Sequence, residues 1–542
     1  MSNQRKWSRL IAVSIIMIML IPMLVACGSK DEDQVEQERV LKIATSAGYG
    51  PDNNDYLRQQ FTDLYEFTHP NVTIEFISTY DESQRYQGMG GKMDSPDGEQ
   101  PKQPIEILKE KMNGTDKPDV VILEFEHLAD LIRENLLTSL DTMMQKDEMD
   151  VAEFVPAVID GLKEQSEDGR LYALAPMFTA SALIYNKKLF TDAGLAFPTD
   201  DMTWDEAFQA AREVSKGEGQ DRTYGITFNS YRYSDPFYDM NVYTAPLELQ
   251  MYDDKGEKMS VDTDEWRKAW QTFFDLKKEK IFPEQPNWEQ PQPEQQGPFD
   301  YHSLLSGKVA MSIINYYDIS EIISANRNAA NIENYEPIDW DVVSVPTHPE
   351  APGVGGQVWL NGIMGVSSTA ENPEDAWDFI SFMMSEEWAN QKSKSVSQFV
   401  TWKKYNKTRD GLEYNLDAFF KNTPAKNNMY NNTLYMEKPD IWQVQNIGQM
   451  KFNEVINETK TVTEALKEWQ TEGDAILKKL MENDGRLDYN DGGMGGFPEP
   501  LPIDVSEEEK KKLMEAAGET VVESESVDTD EAVESEAVEV VE

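Results

Sequence analysis

Side chains capable of covalent chemistry are scarce in this 542-residue chain, which holds one cysteine and four histidines. His69, His127, His302 and His348 fall in no H-x-x-H or H-E-x-x-H spacing, so none of them forms a recognisable metal-ligand pattern. A single cysteine, Cys27, leaves no intramolecular disulfide and no cysteine-based metal cluster. No G-x-S-x-G elbow is present, nor a glycine loop ending in Gly-Lys-Ser/Thr that would cradle phosphate. A glycosidase needs only two carboxylates, and 99 acidic residues supply many pairs, yet no motif sets two of them across a cleft. The residues therefore point to no catalytic set, no metal and no cofactor.

Recognition chemistry, in contrast, is abundant, with 22 Tyr, 22 Phe and 12 Trp. Sugars present flat C–H faces ringed by hydroxyls, and aromatic planes with carboxylate or amide edges bind them. Candidates for such contacts are Ser46 and Tyr49 in one loop, Tyr80 beside Asp81, Glu124, Tyr231 and Tyr233, Tyr316 and Tyr317, and Trp359. Each has a plainer alternative. Loop tyrosines serve surface packing, and Glu124 fits equally well as a carboxylate at the start of the next helix, where the dipole favours it. The aromatic run Tyr231, Tyr233, Phe237, Tyr238 and Tyr243 either faces a cleft or packs a core.

These residues need a scaffold, and the apolar pattern supplies one. Val40–Ala44 reads as a strand, Tyr56 to Phe67 as a helix ended by His69-Pro70, and Val72–Ile77 as a second strand. That order opens an α/β lobe with a parallel sheet, in which ligands sit at the carboxyl ends of strands. Lys117–Leu123 is a further strand ending at Glu124, and residues 87–103 read as an exposed insertion. Leu171–Pro176 and Leu183–Phe190 read as two short buried strands, split by Pro176 and the small residues Thr179, Ala180 and Ser181. Thr203 with Glu206 forms a capping box, and Trp266, Trp270, Phe273 and Leu276 mark one buried helix face. The stretch from Glu386 to Leu480 reads largely helical.

Several motifs in fixed order carry a resemblance. Asp168-Gly169-Arg170-Leu171-Tyr172-Ala173-Leu174-Ala175-Pro176 precedes Tyr185-Asn186-Lys187-Lys188-Leu189-Phe190, then Ala193-Gly194-Leu195, Pro198 and Thr203-Trp204-Asp205-Glu206. Gly307-Lys308-Val309-Ala310-Met311 and Asn372-Pro373-Glu374-Asp375-Ala376-Trp377-Asp378-Phe379-Ile380 follow, with Trp377 read as core. This succession resembles the family 1 extracellular solute-binding proteins of ABC importers, similar to maltose-binding protein, and spans Val40 to Leu480. Departures include Ala175 before Pro176, Asn135 where the family has glycine, and Tyr316-Tyr317 where relatives often place a sugar-stacking tryptophan.

The resemblance implies an α/β, two-lobe periplasmic-binding-protein-like fold, each lobe a mainly parallel sheet flanked by helices, with the ligand cleft at a hinge. Lobe 1 is expected at 39–140 and 317–385, resuming at Asp341–Pro346, and lobe 2 at 141–316 and 386–482. The implied function is capture of a solute, a carbohydrate and in particular an oligosaccharide, by hinge closure, and its delivery to ABC permease subunits. The implied protein is a monomer and not an enzyme. A peptide or polyamine ligand, a surface glycoside hydrolase and a structural lipoprotein stand as alternatives.

Both ends of the chain carry their own signals. Arg5, Lys6 and Arg9 precede the apolar run Leu10–Val25, which ends in Leu24-Val25-Ala26-Cys27. Small residues ahead of the cysteine resemble a lipoprotein signal over 1–26, which implies Cys27 lipidated, 27–38 a tether, and a place on the outer face of a cell membrane, that of a Gram-positive surface. Loss of Arg5, Lys6 and Arg9 takes the net charge from −49 to −52. So acidic a chain has no basic surface for nucleic acid or anionic lipid and favours a neutral or cationic ligand. Residues 483–542 are glycine-rich and then acidic, with no basic residue after Lys512, and are expected to be disordered.

Overall fold

The computed structural model describes residues 38–81, 102–231, 235–283, 298–394, 398–423, 434–435, 438–483 and 485–487. The leader with Cys27, nearly all of the tether, Tyr233, most of the 87–103 insertion and the acidic tail lie outside the described residues. The chain divides into a compact unit ending at Arg486 and a second beginning at Leu487, and all elements named below belong to the first. No helix among the described residues is long and apolar enough to cross a membrane.

The first sheet holds β1 (Arg39–Thr45), β2 (Val72–Ile77), β3 (Val120–Leu123) and β9 (Ile363–Val366) in the order β2-β1-β3-β9. β1 runs parallel to both β2 and β3, while β9 closes the edge antiparallel to β3. All four residues of β3 are buried, as a strand covered on both faces requires of a continuous Val-Val-Ile-Leu run.

The second sheet is organised on β4 (Met177–Asn186), with β5 (Tyr224–Thr227), β6 (Val309–Asn315), β7 (Trp340–Val343), β8 (Val358–Asn361) and β10 (Phe399–Val400). Here the expectation of a mainly parallel sheet fails. Only β5 and β6 pair in parallel, and every partner of β4 is antiparallel to it. The cause is the length of β4, which takes β10 and β8 along its first half and β6 and β7 along its second.

β4 also replaces the two short strands expected on either side of Thr179-Ala180-Ser181. Leu171–Pro176 is irregular except for one bridge between Leu174 and Met364. Pro176, which has no N–H to give, stands just ahead of the strand. The small residues do not break it; Ala180 and Ser181 are buried, Thr179 is partly so, and they let neighbours approach closely. Ser181 Oγ accepts a 2.8 Å hydrogen bond from Gln357 N, and a Cβ on Gly356 would lie 3.2 Å from that oxygen.

A second correction concerns Asp341–Pro346, expected in lobe 1. Its strand β7 pairs with β4, Leu183 facing Val343 and Tyr185 facing Asp341. The apolar pattern shows that a segment is a buried strand but not which edge it joins, and β4 offers the open edge. The return to the first sheet comes later, at Gly362. β8 ends at Asn361, Gly362 takes φ +67°, and β9 begins one residue on. A Cβ at Gly362 would meet Phe61 Cε1 at 2.9 Å, so both the backbone and the space demand glycine.

Helices cover the sheets. Trp377 is buried as expected and donates from Nε1 to Asp147 at 2.6 Å. Trp266, Trp270, Phe273 and Leu276 all sit in the core, where Trp270 stacks on Trp469 at 5.4 Å. Between Glu386 and Leu480 the helices are Glu386–Lys392, Trp442–Ile456 and Val462–Glu482, but β10 and short 3-10 turns intervene. The described stretch 398–423 is therefore not α-helical.

Candidate functional site

A cavity of about 730 Å³ opens at the carboxyl ends of β1 and β3. Thr45, Ala47 and Tyr49 reach it from the loop after β1, and Ile122, Leu123 and Glu124 from the end of β3. Phe125, Glu126, Ala129, Asp130 and Arg133 add one face of the helix Phe125–Arg133. Asp160 and Gly161 come from the helix Pro156–Lys163, with Glu164 and Gln165 just past its end. The run Gly356–Gly362, which includes β8, supplies the remaining major wall. Residues of both sheets thus meet in one space, and the crossing at Gly362 forms part of its lining.

Three of the sequence candidates line this cavity. Trp359 is held in β8 opposite Thr179 of β4 and remains 40% exposed, since alternate residues of a strand point to opposite faces. Tyr49 contacts Tyr56, their rings 5.6 Å apart and tilted by 51°. Burial, then the neighbouring Tyr56, pushes the Tyr49 hydroxyl above its ordinary pKa. Glu124 stands both at the helix start and at the cavity wall. It is the N-cap residue of the helix Phe125–Arg133 without a side-chain capping bond, and its carboxyl lines the cavity.

Ser46 stands behind the wall. Its buried Oγ accepts from Glu124 N at 2.9 Å and so fixes the residue that does line it.

The remaining candidates lie elsewhere. Tyr80 is half-buried and packs over Gly50. Tyr231 is 71% exposed outside the cavity, and Tyr233 is outside the described residues. Tyr317 is exposed outside the cavity and its hydroxyl accepts from Asn315 Nδ2 at 3.2 Å.

Tyr316 is a clear correction. The chain turns at the end of β6 so that its ring enters the core, stacking on Phe399 at 3.7 Å, and its hydroxyl accepts from Arg409 Nε at 2.7 Å. It is no stacking platform. Phe237, Tyr238 and Tyr243 of the aromatic run lie on the helix Pro236–Thr244, with Phe237 and Tyr243 in the core. Among the described residues there, Val242 and, just beyond the helix, Ala245 reach the cavity.

Sequence reasoning missed Tyr56 and Phe61, whose helical spacing reads as core periodicity, and Asp160 with Glu164. The i, i+4 spacing of that acidic pair is a weak signal that both lie on one side of the chain.

The electrostatics of the wall are one-sided. Glu124, Glu126, Asp130, Asp160 and Glu164 line it with a single basic residue, Arg133, which pairs with Asp130 at 3.0 Å. Desolvation, then the charge of Glu126, raises the pKa of Glu124. His127 lies just behind, its Nδ1 buried without a hydrogen-bond partner and 3.9 Å from Glu124 Oε2, and burial lowers its pKa. Glu124, Glu126 and His127 are the group among the described residues whose donor atoms, within 4.8 Å of one another, could hold a metal ion.

Comparison with known proteins places this architecture. The model of the bacterial extracellular solute-binding protein family matches residues 50–390. The chain belongs to that family. Putative binding proteins of Brucella abortus and Brucella suis are 23% identical to this solute-binding protein over 292 residues, 53% of its length. The match spans 64% of the length of those curated relatives. A sugar transporter of Rhizobium etli, solved in an open conformation, superposes with a TM-score of 0.54 at 19% identity, over 80% of this chain and 99% of that one. The sugar-binding protein MalE of Xanthomonas citri gives 0.53 at 15% identity, over 82% and 100%. The solute-binding protein therefore has the two-lobe periplasmic-binding-protein-like fold, with sheets flanked by helices.

Proposed function

We propose that this protein captures a carbohydrate, in particular an oligosaccharide, in the cavity at the ends of β1 and β3 and delivers it to the permease of an ABC importer. The observation that carries this reading is Trp359, a large aromatic ring left exposed on the wall of a cavity whose size suits a small-molecule ligand. Tyr49 and Tyr56 add aromatic surface, and Gln357, Asn361 and the carboxylates add groups that hydrogen-bond hydroxyls. Support also comes from the Rhizobium and Xanthomonas proteins, named for sugars. Ligand contacts from both sheets would stabilise a closed form, with the chain crossings at Gly362 and between Leu174 and Met177 absorbing the rotation. We further propose that the protein acts as a monomer held to the outer membrane face by lipid on Cys27.

The test is a thermal-shift screen over oligosaccharides, peptides and polyamines, followed by titration of the hits. A sugar should raise the melting temperature in a concentration-dependent way, because it binds the folded form. Trp359→Ala should cost about 1–3 kcal/mol of affinity and lower the melting temperature of the free protein little. Undiminished affinity in that variant would remove Trp359 from the site. Consumption of the sugar over time would identify a glycosidase instead.

A further inference from the structure

Acidic residues are common throughout this chain, so their number alone does not single out the cavity wall. Their arrangement does. Glu124 and Glu126 hold carboxylate oxygens within 4.8 Å of each other at the mouth of the helix Phe125–Arg133, and both face the cavity. Two like charges kept this close repel, and partial desolvation of Glu124 adds to the cost.

Among the described residues, no lysine or arginine forms an ion pair with Glu124 or Glu126. Glu124 is perturbed by burial and by Glu126, with no lysine or arginine acting on it. Arg133, the one basic residue of the wall, is committed to Asp130, and Lys109 forms an ion pair with Glu134. The remaining nearby group is His127, 91% buried with its Nδ1 unpartnered, and burial favours its neutral form. The two carboxylates therefore stand without a paired cation among the described residues. Farther round the wall, Asp160 and Glu164 repeat the sign, while the rings of Tyr49 and Tyr56, 5.6 Å apart, line the same cavity, a combination that suits an ammonium group.

We propose that the solute is a carbohydrate bearing free ammonium groups, and that one ammonium sits between the carboxylates of Glu124 and Glu126. This rests on the carbohydrate reading above and narrows it to amino sugars. A bare metal ion fits the three donors but leaves most of a 730 Å³ cavity unfilled, so the larger cation is the better match.

The experiment titrates the full chain with a glucosamine oligomer, its N-acetylated form, a neutral glucose oligomer of equal length, spermidine, and Zn²⁺ or Ca²⁺ alone. The glucosamine oligomer should bind at least tenfold more tightly than either neutral sugar, and the preference should shrink as salt rises. Glu124→Gln should weaken the glucosamine oligomer far more than either neutral sugar and so abolish most of that preference. Asp160→Asn, at an exposed helix position, gives a second reading in a variant with no core contact to lose. Equal or tighter binding of the neutral oligomers would overturn the ammonium inference and leave the carbohydrate function standing. Binding of spermidine without any sugar would overturn both, as would silence from every probe. A response to the metal ions alone would make the triad a metal site and end the inference.

Discussion

Acid should loosen this protein through His302, and the size of the effect follows from its surroundings. His302 Nδ1 accepts a hydrogen bond from Leu305 N at 3.1 Å, so the ring proton resides on Nε2, which is buried without a partner. A second proton would have to enter at Nδ1 and break the bond to Leu305. Desolvation accordingly lowers the pKa from 6.5 to about 4. The unfolded chain takes up that proton near pH 6.5 and the folded chain does not, so the unfolded state gains as pH falls between those values. The stabilisation is fully present above about pH 6.5 and is lost progressively down to about pH 4, at about 1.4 kcal/mol per pH unit and about 3 kcal/mol in all. His127 and His348 are shifted in the same direction, and the relief of acidic self-repulsion opposes them, so the wild-type curve alone does not isolate His302. His302→Asn keeps an acceptor for Leu305 N and removes the titration. Urea melts of both proteins at pH 7, 6 and 5, above the sequence pI of 4.4, should show the wild type losing more stability than the variant by about 2 kcal/mol across that span. Parallel curves would refute the assignment.

Two further outcomes test the corrected core and the proposed anchor. Tyr316→Ala should cost about 3–5 kcal/mol of stability, and Tyr316→Phe, which removes the hydroxyl that accepts from Arg409, about 1.5–3 kcal/mol. Neither should change ligand affinity in the folded fraction, as read by chemical denaturation and titration. Cys27→Ser should release the protein from membranes; retention after a high-salt wash would refute lipid anchoring.

Much of this molecule is legible locally. The β1–β2 opening, the capping box at Thr203 and the buried face from Trp266 to Leu276 all follow from residues close in sequence. What is not legible depends on partners far away. Tyr316 follows the end of a strand, and the chain reads the same whether its ring turns to a cavity or to Phe399. Thr179-Ala180-Ser181 looks like a break until both edges of β4 are seen to be occupied. Tyr56 and Phe61 repeat like core residues because one helix face there serves both core and cavity. The side to which β7 belongs is set by a free edge some 160 residues earlier, at Leu183 facing Val343.

The antiparallel closure of the first sheet by β9 has a consequence for the order of assembly. Val120 finds its partner at Val366, and β4, starting at Met177, finds one at Val400. During synthesis β3 emerges as an apolar strand with an open edge and keeps that edge until nearly 250 further residues have been made. Such distant pairings fold slowly, and an uncovered edge of this kind pairs readily with other chains. The N-terminal half therefore cannot mature as an independent domain. The chain remains pliable until its C-terminal half arrives, a state suited to passage through a narrow export channel but in need of shielding from its own copies.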